Sequence, residues 1–144
     1  MKLIKKQSGD FTAYFTPEGV KKYEHFKSSN GYEIWREYDS KGDEIRHKDS
    51  DGYEEWTEYD SNGNEIHSKN SNGFETWKEY DSKNNLMHTK DSKGFEMWTE
   101  YDSNGNEIYF KDSNGYERWS DDHPNNPKNH VEESEIGAFE FGKK

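Results

Sequence analysis

Five tryptophans, Trp35, Trp56, Trp77, Trp98 and Trp119, stand 21 residues apart, and Gly31, Gly52, Gly73, Gly94 and Gly115 keep the same step. A fixed period of this length means one supersecondary unit copied along the chain. Tyr38, Tyr59, Tyr80 and Tyr101 follow it too, each preceded by Glu and followed by Asp-Ser. Each unit is punctuated twice, as in Asp60-Ser61-Asn62-Gly63 and Asn70-Ser71-Asn72-Gly73, ten residues apart. Gly takes positive φ at no steric cost, and Asn or Asp braces a turn with its own side chain. The six or seven residues left between turns suit a strand and fall short of a typical helix.

The period therefore predicts an all-β fold, an antiparallel meander of 21-residue hairpin repeats with about nine to eleven strands in one twisted or solenoid-like sheet. Residues 1–30 read as a degenerate half-repeat and cap, 31–119 as the repeats, and 120–144 as a tail interrupted by proline in "DDHPNNPKNH". The apolar pieces "FTAYF" and "IGAFEF" are candidates to cover a face of the sheet.

An odd period constrains the turns. A residue keeps its face from one repeat to the next only if the two loops differ in parity or a bulge intervenes. Asn30, Asp51, Asn72 and Asn114 precede Gly at the second turn, which suits a two-residue type I′ turn. The first turn, with Lys41, Asn62, Lys83 and Asn104 at the equivalent place, suits a type I turn with a glycine bulge, and Asn84 replaces Gly there. With those loops Trp56, Glu58, Ile66 and Ser68 share one face, and Tyr53, Glu55, Thr57, Tyr59, His67 and Lys69 the other. Equivalent residues then recur every second strand, about 9.6 Å apart. The expected result is a Trp ladder in which Glu37, Glu58, Glu79 and Glu100 interleave Ile45, Ile66, Met87 and Ile108.

Composition narrows the function. Only 26% of the 144 residues are apolar and 35% are charged, yet 16% are aromatic, so the apolar payload sits in a few large side chains. No cysteine is present, which removes disulfides and thiolate metal sites. The net charge is −11, with +3 on residues 1–30, −15 on the five blocks from 31 to 135 and +1 on residues 136–144. Such a balance disfavours direct nucleic-acid contact, which needs Lys and Arg on the contact face, and favours a protein partner with a basic surface. No run resembles a signal peptide or a membrane span, so the expected location is the cytoplasm.

Chemistry on the repeats reads as scaffold. Glu58 and Glu79 approach the separation of an inverting glycosidase pair, but equivalent glutamates on one sheet offer neither a cleft nor an asymmetry between acid and base, so no enzyme is expected. His67 and His88 are too far apart to share a metal. Asp60, Asn62 and Asn64 alternate as in a calcium loop, yet Gly63 and Ser71 stand at the wrong places for one, and no metal or cofactor is expected. The binding candidates are Glu37, Glu58, Glu79 and Glu100, Trp35, Trp56, Trp77 and Trp98, with Tyr59 and Tyr80. Exposed edges and aromatic faces leave a homodimer open.

The unit "DSKGFEMWTEYDSNGNEI", residues 91–108, resembles the YD repeat of Rhs and teneurin-type proteins, in which a turn glycine is followed seven residues later by Tyr-Asp and then x-x-Gly. Gly73, Tyr80 and Asp81, and the span from Gly63 to Gly73, fit that pattern over about residues 31–119. The repeats are also similar, more weakly, to variant MORN repeats. The YD resemblance implies a meander of β-hairpins and supplies no catalytic residue. The expected function is a non-enzymatic protein-binding module, an inhibitor or immunity protein of the phage anti-defence or toxin-antagonist kind. The alternative is a glycan-binding or cell-surface repeat fragment.

Overall fold

The computed structural model describes residues 2–130. They form one sheet of twelve antiparallel strands in sequential order. The strands are β1 (Ile4–Ser8), β2 (Phe11–Phe15), β3 (Lys21–Lys27), β4 (Glu33–Tyr38), β5 (Glu44–Asp49), β6 (Glu54–Tyr59), β7 (Glu65–Asn70), β8 (Glu75–Tyr80), β9 (Leu86–Asp91), β10 (Glu96–Tyr101), β11 (Glu107–Asp112) and β12 (Glu117–Trp119). A short 3₁₀ turn, Pro127–His130, follows. The meander is thus the expected one, with one strand more than expected because the N-terminal residues pair as fully as the repeats do. "FTAYF" is β2, hydrogen-bonded between β1 and β3, and so is a strand of the sheet and not a cover over it. "IGAFEF" lies outside the described residues.

No apolar side chain is buried among the described residues. The sheet is a single layer, held by cross-strand pairs and by contacts between neighbouring strands alone, the energetic habit of repeat proteins.

Both turns of each repeat prove to be the same device. In the first, Asp60 N–H donates to Asn64 O (2.9 Å) and Gly63 N–H to Asp60 O (3.2 Å); in the second, Asn70 N–H donates to Phe74 O (3.0 Å) and Gly73 N–H to Asn70 O (2.9 Å). Each is a three-residue loop, a type I turn closed by a glycine at positive φ (89° at Gly63, 79° at Gly73), of the glycine-bulge kind. The type I′ expectation for the second turn fails because such a turn needs positive φ at the residue before Gly, and the one positive-φ residue other than glycine among those described is Asn84, at 68°.

Two identical loops would give an even period. The odd residue is a bulge: Glu58 pairs with His67 and Tyr59 with Glu65, which leaves Ile66 unopposed. The shift recurs at Glu37/Tyr38, Glu79/Tyr80 and Glu100/Tyr101, and at Tyr14/Phe15 in the N-terminal hairpin.

Asn84 meets the backbone demand in Gly's stead and adds something glycine cannot. Its Oδ1 accepts from Asn62 Nδ2 (3.0 Å) and Asn64 Nδ2 (2.9 Å) of the preceding repeat. Asn84→Gly should therefore be nearly neutral, easier backbone offsetting two exposed hydrogen bonds, whereas Asn84→Val should cost about 1–2 kcal/mol. Urea unfolding of the two variants checks this, and equal midpoints would show the left-handed backbone to be unimportant.

Candidate functional site

The bulge decides what shares the tryptophan face. Trp56 pairs with Lys69, Glu58 with His67, and Thr57 with Ser68. His67 and Lys69 therefore stand beside Trp56, and Ser68 sits on the opposite face, where its Oγ lies 2.7 Å from Thr76 Oγ1. The expected assignment of His67, Lys69 and Ser68 is reversed. A shift of one residue exchanges every side chain between faces, and the single unopposed residue at each bulge supplies that shift. All tryptophans still share one face.

Nor is the ladder straight. Lys69 pairs with Glu75, and His67 with Trp77, so the residue two strands across from Trp56 is Glu75. Trp77 stands two positions further along β8. Successive tryptophans, and likewise Glu58 and Glu79, step diagonally by about 12 Å. This exceeds the expected spacing and the inverting-glycosidase range.

Two transverse rows have the same composition. Glu58, His67, Trp77, Lys90 and Glu96 line up across five strands, as do Glu79, His88, Trp98, Lys111 and Glu117. Three histidines lie flat on tryptophans: His25 on Trp35 (5.2 Å, 8°), His67 on Trp77 (5.4 Å, 11°) and His88 on Trp98 (5.4 Å, 12°). Arg46 takes that place beside Trp56, 5.9 Å from the ring centroid. Each cation or imidazole is also clamped by carboxylates. His67 lies 3.5 Å from Glu58 and 3.3 Å from Glu75, His88 3.7 Å from Glu79 and 3.0 Å from Glu96, and Arg46 bridges Glu37 (3.2 Å) and Glu54.

The two sets of glutamates differ. Glu33 and Glu75 are drawn into strong pairs with Lys27 (2.9 Å) and Lys69 (2.8 Å), and hydrogen bonds from those lysines and then from His25 and His67 hold both carboxyls below their ordinary value. Among the described residues, Glu58, Glu79 and Glu100 pair only with the edge of an imidazole, and 70%, 76% and 59% of their side chains are exposed. Trp35, Trp56 and Trp77 remain about two-fifths open, at 38%, 39% and 40%.

The sequence reading overlooked the inner partners. Lys27, Lys48, Lys69, Lys90 and Lys111, and Glu33, Glu54, Glu75, Glu96 and Glu117, also step by 21 and face each other across the strands. That invariance was the available signal. The lysines dilute the expected negative strip into a file of separate carboxylates. Asp60 spends its charge within its own turn, accepting at Oδ1 from the N–H groups of Asn62 (2.8 Å) and Asn64 (2.9 Å), as Asp81 does from Lys83 and Asn85. Tyr59 and Tyr80 lie on the face away from the tryptophans, where their hydroxyls donate to the carbonyls of Glu44 (3.0 Å) and Glu65 (2.9 Å). Burial pushes both phenols above their ordinary value.

Fold and face together define a class: a repeat-built, single-layer β-meander that displays one aromatic, charge-studded face. No protein family matches the chain, and no curated protein matches it either. Solved structures show a weak likeness. The TcdB2-TccC3 crystal structure is similar at 13% identity and a TM-score of 0.35, over 71% of this chain and 8% of that one. A mutant of S. aureus TarM in complex with Fondaparinux, alpha-GlcNAc-glycerol and UDP is similar at 12% identity and a TM-score of 0.28, and TarM itself at 13% and 0.28, each over 82% of this chain and 21% of that one. The chain thus spans less than a quarter of the length of these structures. No helix among the described residues is long and apolar enough to cross a membrane.

Proposed function

We propose that the chain is a non-enzymatic protein-binding module and that its tryptophan face is the contact surface. One observation carries this reading. The face repeats a tryptophan beside a carboxylate that its neighbours leave largely exposed, at Glu58, Glu79 and Glu100, with Trp56 and Trp77 themselves about two-fifths open, while the inner charges are matched across the strands. A basic surface gains attraction from the free carboxylates and apolar contact from the indoles, with fast, salt-sensitive encounter. In the narrower form of the proposal the partner is a nucleic-acid-binding or toxin enzyme, and the carboxylates take positions that it reserves for phosphates. The chain is then an inhibitor or immunity protein of the phage anti-defence or toxin-antagonist kind. We also assign the repeats to the YD type, on the Gly73, Tyr80 and Asp81 spacing.

Immobilised chain should capture basic proteins at low ionic strength and release them at high, and Glu58→Lys/Glu79→Lys/Glu100→Lys should abolish capture with the circular dichroism spectrum unchanged. Undiminished capture by the triple variant would remove the proposal. Polysaccharide binding that survives salt and is lost in Trp77→Ala would replace it with glycan recognition.

A further inference from the structure

The two edge strands of the sheet are β1 and β12. Ser120 N–H extends the β11–β12 ladder to Ile108 O (2.8 Å), and beyond it the chain turns back on itself, Asn126 Nδ2 donating to Ser120 O (2.8 Å). His123 packs edge-on against Trp119 (4.6 Å) and is 5% exposed. At the other end, all five residues of β1 are exposed, and none of the described residues pairs with its outer edge.

The backbone groups on that edge can be named. A two-residue turn at Gly9–Asp10, with Gly9 at φ 55°, leaves Ser8 and Phe11 as the last pair, hydrogen-bonded as in tight hairpins. Bonding direction alternates along an antiparallel strand. Ile4, Lys6 and Ser8 therefore bond to β2, while the N–H and C=O groups of Lys5 and Gln7 point outward. The Gln7–Thr12–His25–Trp35 row puts the side chains of Lys5 and Gln7 on the tryptophan face. Lys6 lies on the opposite face, its ammonium 4.8 Å from the Phe15 ring centroid. A cation thus flanks the open edge on each side of the sheet, within an N-terminal stretch whose net charge is +3 over residues 1–30.

We propose that the edge of β1 is a second interaction surface, which takes an extended acidic segment of another protein as an added strand. Strand addition draws its affinity from main-chain hydrogen bonds and its selectivity from the side chains that flank them. Here Lys5 and Lys6 select for carboxylates on both faces. They also argue against a second copy of this chain, since two β1 strands laid together bring lysines into register, and like charges directly opposite repel. This edge is separate from the exposed carboxylates of Glu58, Glu79 and Glu100 and opposite to them in charge.

The test uses the full, isotope-labelled chain with the capped peptide Thr-Val-Glu-Glu-Thr-Val, and the same peptide with lysine in place of both glutamates. The acidic peptide should give saturable shifts of the Lys5 and Gln7 amides with slowed hydrogen exchange there, and the lysine peptide none. Lys5→Glu/Lys6→Glu should weaken binding about tenfold or more. Gln7→Pro removes an outward N–H that β2 does not use and should abolish the protection, with the rest of the spectrum unchanged. No saturable shift, shifts centred on the tryptophan face, equal affinity in the charge-reversed variant, or a dimer formed through β1 would each overturn the proposal. Glu58, Glu79 and Glu100 are untouched throughout, so this result stands or falls independently of the capture experiment.

Discussion

Excising residues 57–77 should leave a folded sheet with two strands fewer than the present twelve, whereas excising residues 57–76 should abolish cooperative folding. The longer excision joins Trp56 to Lys78 and rebuilds the strand Glu-Glu-Trp-Lys-Glu-Tyr. Its first half keeps the Arg46–Trp56 pairing to β5 and its second half the Glu79–His88 pairing to β9. The shorter excision leaves Trp56 and Trp77 adjacent, and adjacent residues of a strand point to opposite faces. Everything beyond the junction is then turned over relative to everything before it. With no buried apolar side chain among the described residues to hold a wrong register, the cost falls on every stacked histidine and ion pair along the files. Far-UV circular dichroism and tryptophan fluorescence through a urea titration distinguish the two. Matching cooperative transitions would mean that register does not hold this sheet together.

Acid is expected to unfold the protein through its turns. Asp60, Asp81 and Asp102 are held below their ordinary value of 3.8, first by the side-chain amides of Asn64, Asn85 and Asn106 and then by the backbone N–H groups of the loop. At Asp39 and Asp49 burial opposes ionisation, but hydrogen bonds, chiefly from the backbone, prevail and the shift is again downward. A carboxyl whose folded value lies below its unfolded value contributes stability that is complete above the unfolded value and is lost as pH falls through the folded one. The thermal midpoint should therefore drop steeply below about pH 4 as one turn after another loses its anion.

Asn70 occupies the equivalent place in a second turn and accepts from Asn72 N–H (3.0 Å) and Phe74 N–H (3.2 Å) with an uncharged oxygen, so asparagine can brace this loop. Asp60→Asn/Asp81→Asn/Asp102→Asn should accordingly stay folded at neutral pH and show a much shallower acid limb. An unchanged acid limb in the triple variant would place the acid-labile groups elsewhere.

Much of this was legible in the residues. Turn glycines at two places per unit, too close for a helix between them, fixed hairpins as the only economical unit. Asn84 could be named as the stand-in for glycine because few side chains tolerate that backbone. Tryptophans at one repeat position had to share a face once any parity-restoring feature was present. The inner Lys and Glu positions were equally regular, but regularity alone does not say which strand a residue faces.

The period of 21, the all-β meander and the common face of Trp35, Trp56, Trp77 and Trp98 were set by sequence alone, because spacing and turn chemistry are local properties. Only the tertiary structure decided that both turns are alike and that Ile66 is the unopposed residue. It alone put His67 and Lys69 beside tryptophan and left Glu58 and Glu79 open. The reason is that an odd repeat can be made by unlike loops or by one bulge, two solutions that read identically along the chain, and only the pairing of one strand against the next selects between them.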